Sequence, residues 1–339
     1  MLDIDGSRGE GGGQILRTSL ALAAITGKAF AMRNVRAGRA KPGLRRQHLV
    51  CVHAAAQLCG ATVHGASVSS KYLEFTPGPI AARELDLDIG SPGSTTLVVQ
   101  TILVPAIVGG LGLRATIQGG THNPMAPPFE FLERVFLPHL RAMGADVALT
   151  LDRYGFAPGD PRATGHGQLT LTVGTGVLQP IELLSVGEAR ARRATVLTAR
   201  LPTHVADREL AIVRARLAGP LETAVRELRA PAPANVLMLE LERDGGRELV
   251  TSFGEKSKRA ELVAEEACTE ALGFLDANVP VGVHLADQLL LPLAIARGGR
   301  YRCAPLSLHA TTNIETIRHF LDVPIEVTSD GDAVIVQVG

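Results

Sequence analysis

Gly144-Ala145-Asp146-Val147 closes a stretch of chain whose order of elements has already run once, as far as Gly60-Ala61-Thr62-Val63. The later stretch begins at Gly90-Ser91-Pro92-Gly93-Ser94, which opens an apolar helix through Val108 that Gly109-Gly110 stops. A strand from Arg114 to Gln118, a proline-bearing loop and a helix from Phe129 to Met143 follow. In the earlier stretch Gly9-Glu10-Gly11-Gly12-Gly13-Gln14 precedes an apolar helix from Ile15 to Ile25, stopped by Gly27. Then come a strand from Ala29 to Val35, the loop Ala37-Gly38-Arg39-Ala40-Lys41-Pro42-Gly43, and a helix from Leu44 to Leu58 ended by Gly60, with Leu73-Glu74-Phe75 as a further strand. A sparser third copy runs from Gly282 through Ala296, Gly298-Gly299, a strand at Tyr301 and a helix ending at Leu321. The expected fold is therefore α/β (α+β), with repeated βαβαβ-type units that each lay two helices on one sheet face.

Residues 181–275 break the rhythm. They hold strands near Thr195 to Leu201 and Val236 to Leu241, a helix from Ala206 to Leu217, a charged helix from Arg259 to Leu275, and Pro231-Ala232-Pro233 as a joint. The expected division is two repeats over 1–180, a smaller inserted α/β domain over 181–275, and the third repeat over 276–339.

At 339 residues, 46% hydrophobic and 20% charged, the chain has the composition of a globular protein with room for more than one core. No run approaches the length of a membrane-spanning helix, and Met1-Leu2-Asp3-Ile4-Asp5 lacks the basic start of a leader, so a cytoplasmic protein is expected. Cys51, Cys59, Cys268 and Cys303 are scattered, which indicates neither a disulfide framework nor a zinc site. Formal net charge is zero, yet between Gly11 and Leu73 there is no acidic residue beside nine basic ones: Arg17, Lys28, Arg33, Arg36, Arg39, Lys41, Arg45, Arg46 and Lys71. Such a block attracts phosphates. With Gln47 and His48 it suits an RNA end better than a duplex, and aromatic content of only 4% argues against broad base stacking.

Three motifs carry candidate chemistry. In Ser307-Leu308-His309-Ala310-Thr311-Thr312-Asn313-Ile314-Glu315, Thr312 and Glu315 have capping-box spacing, which starts the helix there and places His309 just ahead of it. The positive end of a helix favours a neutral imidazole, whose lone pair can attack phosphorus at neutral pH. The run from Gly9 to Gly13 matches neither common phosphate-loop pattern. Its glycines let backbone approach an anion and Glu10 could hold a magnesium ion, although the spacing serves a plain turn equally well. In His284-Leu285-Ala286-Asp287-Gln288, an acid and an amide stand where a base, ribose or metal could be held, or where Asp287 simply caps a helix.

Taken together, Gly9 to Arg17, Arg36 to Leu44 with Gln47-His48, Gly119-Gly120-Thr121 with Asn123-Pro124, Leu285 to Gln288, and His309 with Thr312-Asn313 resemble the RNA 3'-terminal phosphate cyclases over nearly the whole chain. The resemblance implies three repeats like the C-terminal domain of translation initiation factor 3, plus an insert. It implies ATP and an RNA with a 3'-phosphate as substrates, Mg2+ or Mn2+ as cofactor, and leaves a homodimer open. It implies His309 as the nucleophile that takes AMP from ATP, and Glu10 at the metal. Arg17, Arg36, Arg39, Gln47 and His48 then line the RNA phosphate path. Gln100, Pro127, Phe131, His284, Leu285, Ala286, Asp287 and Gln288 hold the nucleotide. Two departures stand out: Gly155-Phe156-Ala157-Pro158 lacks the glycine triplet that follows it in the family, and His284 stands where tyrosine is expected.

Overall fold

The computed structural model describes residues 1–156 and 167–339, so most of the loop after Phe156, Ala157 to His166, lies outside the described residues. Three four-stranded sheets share one connectivity. The first unit runs β1 (Leu2–Asp5), α1 (Gln14–Thr26), β2 (Phe30–Arg33), α2 (Arg46–Cys59), β3 (Thr62–His64) and β4 (Leu73–Thr76), with strand order β1-β2-β4-β3. The second runs β5 (Glu84–Asp88), α3 (Thr95–Gly109), β6 (Leu113–Gly119), α4 (Phe129–Phe131), a π-turn (Leu132–Phe136), α5 (Leu137–Ala142), β7 (Val147–Arg153) and β8 (Gly167–Val173), ordered β5-β6-β8-β7.

The third unit starts with β9 (Glu182–Leu183), after which the chain builds a fourth sheet: β10 (Ala189–Ala199), α6 (Thr203–Arg216), β11 (Glu222–Glu227), β12 (Ala234–Arg243), β13 (Gly246–Phe253) and then α7 (Ala260–Ala277). It resumes with α8 (Val283–Ala296), β14 (Gly299–Cys303), α9 (Leu308–Phe320), β15 (Ile325–Asp330) and β16 (Ala333–Val338). Its order, β9-β14-β16-β15, matches the other two. In each unit the first two strands are parallel, joined by a helical crossover, and the last two form an antiparallel hairpin.

The repeated α/β units expected from the order of elements are present, with a correction: each is βαβαββ. The strands missed in the second and third units, among them β8 and β16, end the hairpins. Each follows another strand rather than a helix, so no helix-stop glycine marks it, and neither shows a clean apolar–polar alternation in its burial. The expected continuous helix from Phe129 to Met143 is broken by the π-turn. Pro138 in the first turn of α5 has no N–H to return to the preceding turn, and the widened turn absorbs that loss.

One apolar cluster runs through all three units, from Leu16 and Phe30 to Val98, Leu132, Leu289 and Tyr301. Helix α3 is apolar all round because α1 and α2 pack on it, and α1 also packs on α9. The fourth sheet has its own cluster, including Val196, Leu210, Leu239 and Ala267, between its strands and helices α6 and α7. It is tied to the second unit by the buried Glu240, which accepts from Arg134 of the π-turn (3.0 Å) and, within the fourth sheet, from Arg193 of β10 (3.2 Å). Among the described residues no helix is long and apolar enough to cross a membrane.

Glu248 of β13 is buried with Oε2 unpartnered, and a Cβ at Gly282 would lie 1.6 Å from that oxygen. Burial pushes its carboxyl from 4.5 up to about 7, against the pull of His284. The native state therefore holds a proton that the unfolded state has released between about pH 4.5 and 7, so stability falls as pH rises through that window. Glu248→Gln is expected to exceed the parent in urea-unfolding stability at pH 8, by at most about 3 kcal/mol, and to approach it at pH 5. Equal differences at both pH values would show that the carboxyl does not titrate there.

Candidate active site

Three helices meet at His309. Helix α9 starts at Leu308, four residues before Thr312, because the Ser307 hydroxyl caps it by accepting from the Ala310 N–H (3.2 Å). This corrects the expected capping box and puts His309 inside the first turn. Ser307 has no Glu or Gln three positions on, so the Thr312–Glu315 pair looked the better cap. Thr312 instead donates to Leu308 O (2.6 Å) and accepts from the Glu10 N–H (3.2 Å), which clips the glycine run to the helix. At Gly9 the backbone is left-handed (φ 53°) and a Cβ would lie 2.1 Å from Thr312 Oγ1, so glycine is required on two counts.

The His309 side chain is about two-fifths exposed, with Nδ1 3.0 Å from Asp287 Oδ2 of α8 and Nε2 3.8 Å from Glu10 Oε2. The other Asp287 oxygen, Oδ1, accepts from Gln14 Nε2 (2.5 Å) and Asn313 Nδ2 (3.0 Å). Asn313 Nδ2 also donates to the Asp287 carbonyl (3.1 Å), and Thr18 of α1 donates to Asn313 Oδ1 (2.9 Å). Asn313 lies four residues after His309 and Thr18 four after Gln14, so each pair shares a helix face. With Oδ1 engaged, Oδ2 faces the imidazole, the proton sits on Nδ1, and the Nε2 lone pair points toward the glycine run.

Cations crowd the far side of that run. Arg39 pairs with Glu10 Oε1. Arg17 is half-buried, and burial holds its guanidinium below the usual range although Cys51 and Asp287 oppose this. With Gln14, Thr18, Gln100, Asp287 and Gln288 it lines a pocket of about 60 Å³. His48 is buried, and burial, then Arg36, Arg17, Arg45 and Arg39, push it from 6.5 down to about 3, so it is neutral. Its Nδ1 accepts from the Arg45 N–H (3.2 Å), and a Cβ on Gly13 would lie 2.7 Å from its Nε2. Arg36 donates to Lys41 O and Gly43 O (2.9 Å each), holding the loop that carries Arg39. Gln47 accepts from the Ser94 N–H (3.3 Å).

The nucleotide candidates divide. Gln100, Asp287 and Gln288 line the pocket. The buried Phe131 ring stands edge-on to His284 at 6.4 Å, and the Pro127 carbonyl accepts from Thr96 (2.7 Å). His284 is exposed, 3.6 Å from Glu270, which raises its pKa. Leu285 and Ala286 are buried in the core, and the Ala286 carbonyl accepts from Tyr301 (2.7 Å), so their side chains offer nothing to a ligand. Among the residues that sequence reasoning missed, Gln14 and Thr18 had only helical spacing as a signal. The buried His122–Glu130 pair (2.7 Å), stacked on Tyr154, had none.

Among the described residues no three His, Cys, Asp or Glu side chains gather as a ready ligand set. A hard cation held by one carboxylate and substrate phosphates needs no such set, and Glu10 retains Oε2 for it.

Residues 8–327 match the family described as RNA 3'-terminal phosphate cyclase. The chain is 44% identical over 337 residues to an RNA 3'-terminal phosphate cyclase of Ectopseudomonas mendocina, covering 98% of this chain and 96% of that protein. It is 42% identical over 333 residues to one of Koribacter versatilis (97% and 92%) and 41% identical over 338 residues to one of Salmonella agona (100% and 97%).

Asn313→Ala removes one donor to Asp287 Oδ1 and the donor to the Asp287 carbonyl. The expected result, read from ¹⁵N shifts of labelled histidine, is a His309 ring that shifts from the Nδ1–H form toward a mixture of tautomers. An unchanged ring would show that Gln14 alone suffices to hold Asp287.

Proposed function

The chain belongs to the RNA 3'-terminal phosphate cyclase family, and from that premise we propose that it uses ATP to convert an RNA 3'-phosphate into a 2',3'-cyclic phosphodiester in the cytoplasm. The observation that carries this reading is the His309 imidazole, backed at Nδ1 by Asp287 and open at Nε2 toward the glycine run. Such a ring is a nucleophile kept in one tautomer.

In the first step the Nε2 lone pair of His309 attacks the α-phosphorus of ATP. The bond to the bridging oxygen breaks, pyrophosphate leaves, and AMP is held as a phosphoramidate while Asp287 stabilises the positive charge on the ring. An RNA 3'-phosphate oxygen then attacks the same phosphorus and releases His309, giving an RNA-(3')pp(5')A end. The vicinal 2'-hydroxyl finally attacks the RNA phosphorus, loses its proton, expels AMP and closes the ring. Each step gathers negative charge beside Arg17 and Arg39, while a neutral His48 can donate a hydrogen bond without competing for protons. Glu10 is the residue that would hold Mg2+ or Mn2+, which supplies charge neutralisation at phosphate oxygens when bound. Gln100, Phe131, His284 and Gln288 are proposed to border the nucleotide.

Incubation with α-labelled ATP and magnesium tests the reading. The parent is expected to retain label and His309→Ala to lose it with its fold intact, because the side chain is partly exposed and fills no core. Persistent labelling would move the nucleophile elsewhere, and a parent that never labels would favour a non-catalytic relative or an enolpyruvyl-transferase-like activity. An RNA ending in a 2'-deoxynucleoside 3'-phosphate is expected to be adenylylated and then to stall without cyclic product. If that strand gains no AMP while the ribose strand cyclises, the 2'-hydroxyl acts earlier than ring closure.

A further inference from the structure

Two aromatic rings on the nucleotide side belong to one short stretch of chain. Phe131 ends the three-residue α4 and faces His284 edge-on at 6.4 Å. Phe136, the last residue of the π-turn, lines the pocket beside Gln100 and Gln288. A helix of one turn has no stability of its own, and a π-turn joins two hydrogen-bond registers rather than continuing either. The direction in which Phe131 points is therefore set by what grips this stretch from outside.

Two polar ties grip it. Before Phe131, the buried Glu130 pairs with the buried His122 of the same unit (2.7 Å). Between the two rings, Arg134 donates to Glu240 of β12 (3.0 Å). Among the described residues the other acidic partner of Arg134 is Glu133 (3.5 Å), its neighbour on the π-turn, which cannot fix that turn against anything else. Glu240 can. It is 4% exposed, accepts from Arg193 of β10 (3.2 Å) and lies 3.4 Å from Arg247 of β13, so its own sheet holds it in place. Strand β13 also packs on α4 and on the π-turn. It carries the buried Glu248 against Gly282, two residues before His284. The fourth sheet thus abuts both members of the Phe131–His284 pair, although it gives no lining residue to the pocket beside Asp287.

We propose that Glu240 is a positioning residue for the nucleotide: through Arg134, the fourth sheet holds the π-turn in the register that presents Phe131 to the base of ATP. The inference rests on the cyclase reading above, and it gives the fourth sheet a part in a reaction whose atoms it does not touch. A buried carboxylate ringed by guanidinium groups adds little net stability, because desolvation offsets the attraction. What it supplies here is a fixed geometry between two separately packed parts of the chain, at the one turn whose backbone does not fix its own.

The test follows the rate of His309 labelling by α-labelled ATP against ATP concentration, for the parent, Arg134→Met, Glu240→Gln, Phe131→Leu and the double variant Arg134→Met/Phe131→Leu. Arg134→Met leaves Glu240 paired with Arg193 and Arg247, so it cuts the link without orphaning a buried charge. Arg134→Met and Glu240→Gln are each expected to raise the half-saturating ATP concentration on the order of tenfold, a usual size for coupling between two sites, with the rate at saturation unchanged. Loss of folded protein would lower the label at every ATP concentration without moving that midpoint. Phe131→Leu is expected to raise the midpoint as well, and the double variant to be no worse than Phe131→Leu, since the link acts through that ring. The proposal is overturned if Arg134→Met or Glu240→Gln keeps the parent midpoint, if the effects of Arg134→Met and Phe131→Leu multiply, or if Phe131→Leu changes nothing. A parent that never labels would instead remove the cyclase reading itself, which keeps the two failures apart.

Discussion

A single carboxylate, Asp287, organises the meeting of α1, α8 and α9. It is 9% exposed, and a charge so far from water is tolerated only when its lone pairs are engaged. Gln14, Asn313 and His309 each supply a donor, one from α1 and two from α9. The first and third units are therefore coupled through this group, and a shift of either helix would leave a buried oxygen unpaired. Reactivity of His309 is thus linked to the packing of the three-unit body, since the same contacts that stabilise the carboxylate orient the imidazole.

The glycine run follows from that constraint. Once α9 is placed by Asp287 and Asn313, the chain entering α1 has to pass between Thr312 on one side and His48 with Arg17 on the other. Side chains would collide at Gly9 and Gly13, while Glu10 can turn outward between them to meet Arg39 and face His309. A stretch that resembled a phosphate loop without fitting either common pattern is explained by crowding at the junction of the units. Its backbone is then left free to lie near an anion.

How much of this was legible in the residues depends on the kind of signal. Element order was, because helix-stop glycines such as Gly27, Gly60 and Gly110 take left-handed conformations where the sequence places them. The closing strands of the units and the π-turn were not: the former lack stop signals, and the latter is a local answer to Pro138 inside an otherwise helical pattern. Among site residues, His309, Asp287, Glu10, Arg17, Arg39 and His48 do converge around the glycine run. Helical periodicity turns the side chains of Leu285 and Ala286 into the core. Gln14, Thr18 and Asn313 act through other side chains, and no property of an amide or a hydroxyl in a sequence announces a role that exists only when three helices meet.

The basic block shows why counting charges along a sequence overstates how many meet a ligand. Arg36 is spent on two carbonyls of its own loop, Arg39 on Glu10, and Arg46 on Gly90. Those contacts leave each guanidinium charged, so the field at the site is still the sum of the block, but hydrogen bonds to a ligand have to come from groups without a partner. His48 illustrates the consequence: surrounded by arginines and buried, it is held neutral down to about pH 3 and so adds a donor without adding charge. A field set by many committed arginines and contacts made by a few free groups separate attraction from recognition. That separation allows a phosphate-rich strand to be drawn in by the whole block and positioned by only part of it.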